Sequence, residues 1–253
     1  MSRVIQSLFA QTAQESEPEG ERDVFLPSLQ VFAWRRGGLY VAAKGGHNGE
    51  SHNHNDIGNF IVYADGEPEI IDVGNCVYTA KTFGAERYEL MNTRSSNHNE
   101  PLIGGMEQVC GRQHAAKDVR ADENGVRMDI AGAYPDHVIS LIRKIEIDKD
   151  RLTVSDEVTL DKAEDVTFTL MLRHEHRSRM RVWRRIFPEA SGGWASRAAR
   201  KKRIESRSRF AERKVRGAHP MPQCTAAIPF DCLKKNRVTF EGESPHRSLL
   251  QRS

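Results

Sequence analysis

The chain has 253 residues, 38% hydrophobic and 29% charged, with a formal net charge of +3; that length holds one large domain or two small ones around a buried core, and that charge implies no particular partner. Its four cysteines (Cys76, Cys110, Cys224 and Cys232) contain no CxxC pair and are too sparse for a disulfide framework, so buried free thiols are expected. No run reaches the ~20 apolar residues of a membrane-spanning helix, so no membrane partner is expected.

The modest total hides an asymmetry. Residues 1–173 carry 18 Lys and Arg against 28 Asp and Glu, whereas residues 174–253 carry 20 against 7. Such a split marks two regions of different character.

In chain order, residues 3–12 place Val4, Ile5, Leu8 and Phe9 on one helical face, which predicts a short helix. The run from Glu15 to Asp23, with Pro18 and Gly20, reads as a linker, so residues 1–24 form a helical remnant and linker. The opening residues lack the apolar run of a signal peptide. From Phe25 the texture becomes β. LQVFAW (29–34) and GLYVAAK (38–44) flank a tight Arg-Arg-Gly segment. FIVYA and PEIID flank Asp65-Gly66, a favoured pair for a two-residue hairpin turn because both positions need positive φ. Asp122-Glu123-Asn124-Gly125 is a turn before VRMDIAGAY. VISLIRKIEI (138–147) and RLTVSDEVTL (151–160) face each other across Asp148-Lys149-Asp150, and VTFTLML (166–172) is a further strand. Short strands separated by turn signals predict an all-β chain, an antiparallel β-sandwich over residues 25–172.

After Arg173 that grammar stops. Residues 173–253 are dense in Arg and Ser. They are expected to form an irregular tail, read first as out-of-frame sequence, then as disorder, and last as a nucleic-acid-binding arm, because a basic run alone is a weak motif.

The chemistry concentrates in Ser51-His52-Asn53-His54-Asn55-Asp56. On an extended segment residues two apart share a side, so His52 and His54 are expected to point together, with Asn53 and Asn55 opposite. Imidazole and carboxylate both ligate zinc. The hairpin brings Asp72 back toward His54, and His98 in SSNHNEP is a further ligand candidate. Two histidines and one carboxylate leave a fourth position open, a zinc-type set. The HxHxDH signature of metallo-β-lactamases is the competing reading, but Ile57 stands where its last histidine belongs.

The segment GGHNGESHNHNDIGNFIVYADGEPEIIDVG, followed by YTAKTFGAERYE, SSNHNEPLIGG and DIAGAYP, resembles the C-terminal β-sheet domain of the heparinase II/III family of polysaccharide lyases, over about Phe25 to Leu172. The resemblance implies β-elimination on an acidic, uronic-acid-containing polysaccharide such as heparan sulfate or alginate. It implies that His52 reaches into the cleft, that His54, Asp72 and His98 hold a structural zinc ion, and that Tyr78 or Tyr88 lines the cleft as acid or substrate contact. Asn48 and Asn99 are then expected to brace loops or touch substrate. The family places an N-terminal α/α toroid before this domain, with further catalytic residues that have no counterpart here. The sandwich is also expected to be incomplete, ending near Leu172 where the family continues with more strands. The chain alone is therefore expected to be a weak catalyst or none. By resemblance its setting is the bacterial cell envelope or periplasm. A non-catalytic carbohydrate-binding sandwich and a nucleic-acid-binding protein are the alternatives, the latter disfavoured.

Overall fold

A computed structural model describes residues 23–134, 137–149, 151–162 and 164–173, and the backbone of five later strands. The helix expected over 3–12 and the linker up to Arg22 lie outside the described residues.

The first strands are β1 (Val24–Leu26), β2 (Val31–Arg36), β3 (Leu39–Lys44), β4 (His47–Asn48), β5 (Phe60–Ala64) and β6 (Glu67–Ile70). After them come β7 (Pro101–Ile103), β8 (Gly111–Ala115), β9 (Lys117–Asp122), β10 (Gly125–Asp129), β11 (Val138–Asp148), β12 (Arg151–Leu160) and β13 (Val166–Met171). Four short 3-10 turns fill the long connection between β6 and β7. One five-stranded sheet runs β1-β2-β3-β5-β6, and β4 pairs with β8 in a small ribbon. Every strand pairing is antiparallel, as the period-two patterning predicts. No helix among the described residues is long and apolar enough to cross a membrane.

Local chemistry accounts for the hairpins. Asp65 and Gly66 hold φ of 53° and 82° between β5 and β6, the mirror-image turn whose twist matches its strands. Lys149 takes φ of 53° between β11 and β12. Alternate residues of each strand then turn inward. Trp34, Val41, Leu141 and Ile145 are fully buried, and the Trp34 indole donates to the Asp122 carbonyl at 2.8 Å, tying the first sheet to the end of β9.

Beyond Arg173 the backbone forms β14 (Arg181–Ile186), β15 (Lys201–Arg203), β16 (Arg209–Phe210), β17 (Gln223–Ile228) and β18 (Lys235–Glu243). They complete a seven-stranded sheet, β15-β14-β18-β12-β11-β10-β9, and a four-stranded sheet, β16-β17-β13-β7. These strands depart from the irregular tail expected over 173–253. The physical reason is edge pairing. The outer edges of β12 and β13 present rows of backbone donors and acceptors, and β18 and β17 fill them from Arg151↔Glu243 to Thr159↔Lys235 and from Val166↔Ile228 to Met171↔Gln223. The short runs Val238-Thr239-Phe240 and Ala226-Ala227-Ile228 are masked in composition by the arginines around them.

The expectation of buried thiols also needs correction, because Cys76 is half-buried and Cys110 exposed, both free. Each sits in a loop segment outside the sheets, where no apolar layer is available to cover it. The Cys224 and Cys232 side chains lie outside the described residues.

Candidate metal centre

Two connections build the site: residues 49–59, between β4 and β5, and residues 71–100, between β6 and β7. The first is a turn rather than the extended strand expected, and His52 holds φ of 58°. Burial still alternates, with His52 exposed, Asn53 buried, His54 half-buried and Asn55 buried. The turn is pinned from outside: the Asn55 amide donates to the Thr93 carbonyl at 2.9 Å and Gly58 to the Lys44 carbonyl at 2.8 Å. The Lys44 ammonium lies 2.6 Å from Asp56, so Asp56 is engaged in an ion pair beside the candidate ligands.

The hairpin delivers Asp72 as expected. His54, Asp72 and His98 each offer a ligand atom, all within 4.8 Å of one another. His98 Nδ1 lies 2.7 Å from Asp72 Oδ2, and its Nε2 lies 3.0 Å from the Asn92 carbonyl. Because a carbonyl only accepts, Nε2 carries a proton and Nδ1 is turned toward the carboxylate. The Asn92 side-chain amide lies 3.3 Å from His54 Nε2, so one residue brackets both imidazoles. Asp72 is held in turn, accepting from the Asn59 side chain at 2.5 Å and from the Gly74 amide at 2.7 Å.

The electrostatics suit a cation. Burial lowers the His54 pKa, and the neighbouring His98 charge lowers it further. Burial also acts to lower that of His98, but the hydrogen bond and charge of Asp72 outweigh it, leaving a net rise. Asp72 ends below its ordinary value because the His98 interaction outweighs its own burial. Two imidazoles, one carboxylate and an imidazole N–H fixed by a backbone carbonyl fit a divalent ion of the zinc type. The buried Asn92 Oδ1 lacks a hydrogen-bond partner, a further polar atom beside His54.

The remaining predicted residues divide. His52 and Tyr78 line a small cavity with His54 and Asn92, and His52 also faces an adjoining open groove of about 310 Å³. The Phe83 ring stands edge-on to both His52 and Tyr78, at 6.3 and 5.5 Å. Tyr88 lines neither space; its hydroxyl donates to Asn53 Oδ1 at 3.0 Å. Asn99 is buried, donating to Asn59 Oδ1 and to the Phe60 and Ile71 carbonyls while accepting from the Met171 amide. It thereby holds Asn59, which holds Asp72. Asn48 is fully buried and donates to Gln108 Oε1 at 3.1 Å. Gln108 in turn bonds both the amide and the carbonyl of Ile57.

Sequence reasoning missed what lies underneath. Arg143 and Asp156 are opposed between β11 and β12, and the guanidinium meets the carboxylate through two bonds of 2.8 and 2.7 Å. Arg143 Nη1 continues to the Gly58 carbonyl at 2.9 Å, the Asn99 carbonyl at 2.8 Å and Glu100 Oε2 at 3.3 Å. One buried guanidinium thus grips both loops that carry the candidate ligands. Gly58 itself is required by its backbone: it holds φ of 94°, and an added Cβ would meet Ile130 at 2.9 Å and Glu100 at 3.3 Å. A signal existed, because Arg143 stands in phase with the inward Leu141, Ile145 and Ile147. Asn59, Asn92 and Gln108 carried no comparable pattern.

A family profile described as "Heparinase II/III-like, C-terminal" matches residues 18–231. The chain belongs to this family. That match runs past Leu172, into the strands beyond Arg173. Among solved structures the fold is similar to a heparinase III, the BT4657 gene product with methylated lysines (TM-score 0.63, 15% identity, 95% of this chain and 40% of that one). It is also similar to a mutant of the heparan sulfate lyase HepC from Pedobacter heparinus (TM-score 0.60, 13% identity, 96% and 40%). A third similar structure is titled heparinase III (TM-score 0.55, 14% identity, 85% and 36%). The chain thus spans about 40% of the length of the first of these. No curated protein matches it.

Proposed function

We propose that the chain is the sheet domain of a lyase that cleaves a uronic-acid-containing polysaccharide by β-elimination, in the manner of heparan sulfate or alginate lyases. The observation that carries this reading is His52, which stands exposed at an open groove and also lines, with His54 of the His54–Asp72–His98 cluster, the small cavity beside it. The reaction removes the proton on C5 of the uronate, forms a C4–C5 double bond and expels the C4 oxygen, which takes up a proton. It needs the carboxylate neutralised, a base at C5 and an acid at the leaving oxygen. His52 can give or accept a proton at the groove. Arg87, held by the Thr82 and Asn53 carbonyls at 2.6 Å each, is a fixed positive charge lining the same groove. Tyr78 is a candidate contact for substrate.

Zinc held by His54, Asp72 and His98 supplies a structural cross-link between the two loops, fixing the direction in which His52 faces. The remaining acid–base groups belong to an N-terminal helical domain, and the cell envelope of a bacterium is the setting proposed for the whole protein. The test joins the chain to a family toroid and follows unsaturated-uronate absorbance on heparan sulfate and alginate. The fusion should form product, His52→Ala should cut it by about 10²–10⁴-fold, and the chain alone should form little. A His52→Ala fusion as active as its parent would sink the assignment.

A further inference from the structure

On the side of the first sheet away from the core, one register row crosses four strands. Arg35 of β2 stands opposite Tyr40 of β3, Tyr40 opposite Tyr63 of β5, and Tyr63 opposite Pro68 of β6. The Arg35 guanidinium lies 5.1 Å from the Tyr40 ring centre, and the two tyrosine rings meet at 6.0 Å and 73°. Arg35 and the two tyrosine rings, with Gly37, Gly38, Ile61 and Gly66 between and beside them, line an open groove of about 690 Å³, with Asp65 at its rim. Tyr40 and Tyr63 are half-buried, so their rings are fixed yet reachable, and Arg35 is exposed.

We infer that this groove is a second binding site, for a segment of acidic polysaccharide chain. Angled tyrosines form a corner: a sugar ring stacking on one meets the edge of the other, and phenol hydroxyls can bond sugar hydroxyls. Arg35 presents a planar fork suited to a uronate carboxylate, set over the Tyr40 ring. The Arg35 charge selects an acidic glycan over a neutral one. The groove is separate from the metal centre: it lies at the Leu39 and Ala64 ends of β3 and β5, while the candidate ligands are at the Lys44 and Phe60 ends. About 13 Å of strand divides Tyr40 from Lys44. Such a site would hold a polymer on the domain while another stretch of it is cut. The ligand class rests on the lyase reading above; the site itself does not.

The experiment is affinity electrophoresis of the full chain in gels containing alginate, heparan sulfate or neutral dextran, with circular dichroism as a folding check. The wild-type chain should be retarded by an acidic polymer and not by dextran. Arg35→Gln and Tyr63→Ala should each weaken retardation about tenfold, the equivalent of 1.4 kcal/mol, and Tyr63→Phe should weaken it less, while Lys117→Gln, which removes an exposed positive charge on β9, should keep it. Because Arg35 is exposed, its variant tests the site even if Tyr63→Ala fails to fold. No retardation of the wild type, equal retardation of Arg35→Gln, or equal retardation by dextran would each overturn the inference. Loss in His52→Ala with Arg35→Gln unaffected would place binding at the metal-side groove, overturning this site and leaving the lyase reading intact. Retardation lost with Arg35→Gln, in a chain whose toroid fusion yields no unsaturated product, would support the site and sink the lyase reading.

Discussion

Replacing Arg143 by Met tests the claim that one buried guanidinium holds the candidate metal loops together. The side chain is 2% exposed and binds Asp156 twice, two loop carbonyls and Glu100. Met keeps an unbranched apolar stem but lacks the guanidinium, and so removes every one of those bonds. Asp156, with no exposed surface, is left as a carboxylate without a cation, and the Gly58 and Asn99 carbonyls lose a donor. Removing one partner of a buried pair costs about 3–5 kcal/mol, a large part of the ~5–15 kcal/mol that holds a typical domain. Urea unfolding should therefore show a loss of that size, together with weaker zinc binding. The double variant Arg143→Met/Asp156→Leu should recover most of the stability, because exchanging a whole buried pair for apolar groups is often neutral. It should not recover the zinc affinity, since the loop carbonyls stay unheld. Arg143→Met within about 1 kcal/mol of wild type, or a double variant no better than the single, would refute the reasoning, because either result means that the unpaired charge carries no penalty.

Further outcomes follow from the same groups. Burial holds the Glu100 pKa well above its ordinary value, so the folded chain keeps a proton that the unfolded chain releases above about pH 4.3. Stability from this group is therefore full at lower pH and declines as pH rises toward the folded pKa; Glu100→Gln should flatten that decline in urea midpoints taken from pH 4 upward, and an unchanged slope would exclude Glu100 as its source. Asn59→Ala removes the donor that orients Asp72 and should weaken zinc binding by roughly 10–100-fold, read by competition with a chromophoric chelator; unaltered affinity would show that Asp72 needs no such support. Zinc must displace the proton shared by His98 and Asp72, so binding should release a proton. Calorimetry in buffers of different ionisation enthalpy reads this, and a buffer-independent heat would contradict it.

Much of this was legible in the sequence. Asp65-Gly66 requires two left-handed residues, so the hairpin was readable from the pair alone, and the hairpin returns Asp72 toward His54. Period-two patterning marked β11, β12 and β13 as strands with one buried face. Resemblance to the family pointed to the three candidate ligands, and the structure places them together. These features are local, or propagate through a short turn, so neighbouring side chains determine them. What only the tertiary structure decided depends on residues brought together from afar. His52 turns outward through a positive φ rather than extending, because the loop carrying it is pinned to Thr93 and Lys44. Tyr88, readable as a cleft residue, is drawn instead to Asn53. The strands after Arg173 form where β12 and β13 leave edges to be filled, which composition cannot reveal. Arg143, an ordinary charge in a β-strand by sequence, becomes the support of both loops that carry the candidate ligands because only a buried guanidinium offers enough donors to join a carboxylate on the next strand to two loop carbonyls across the core.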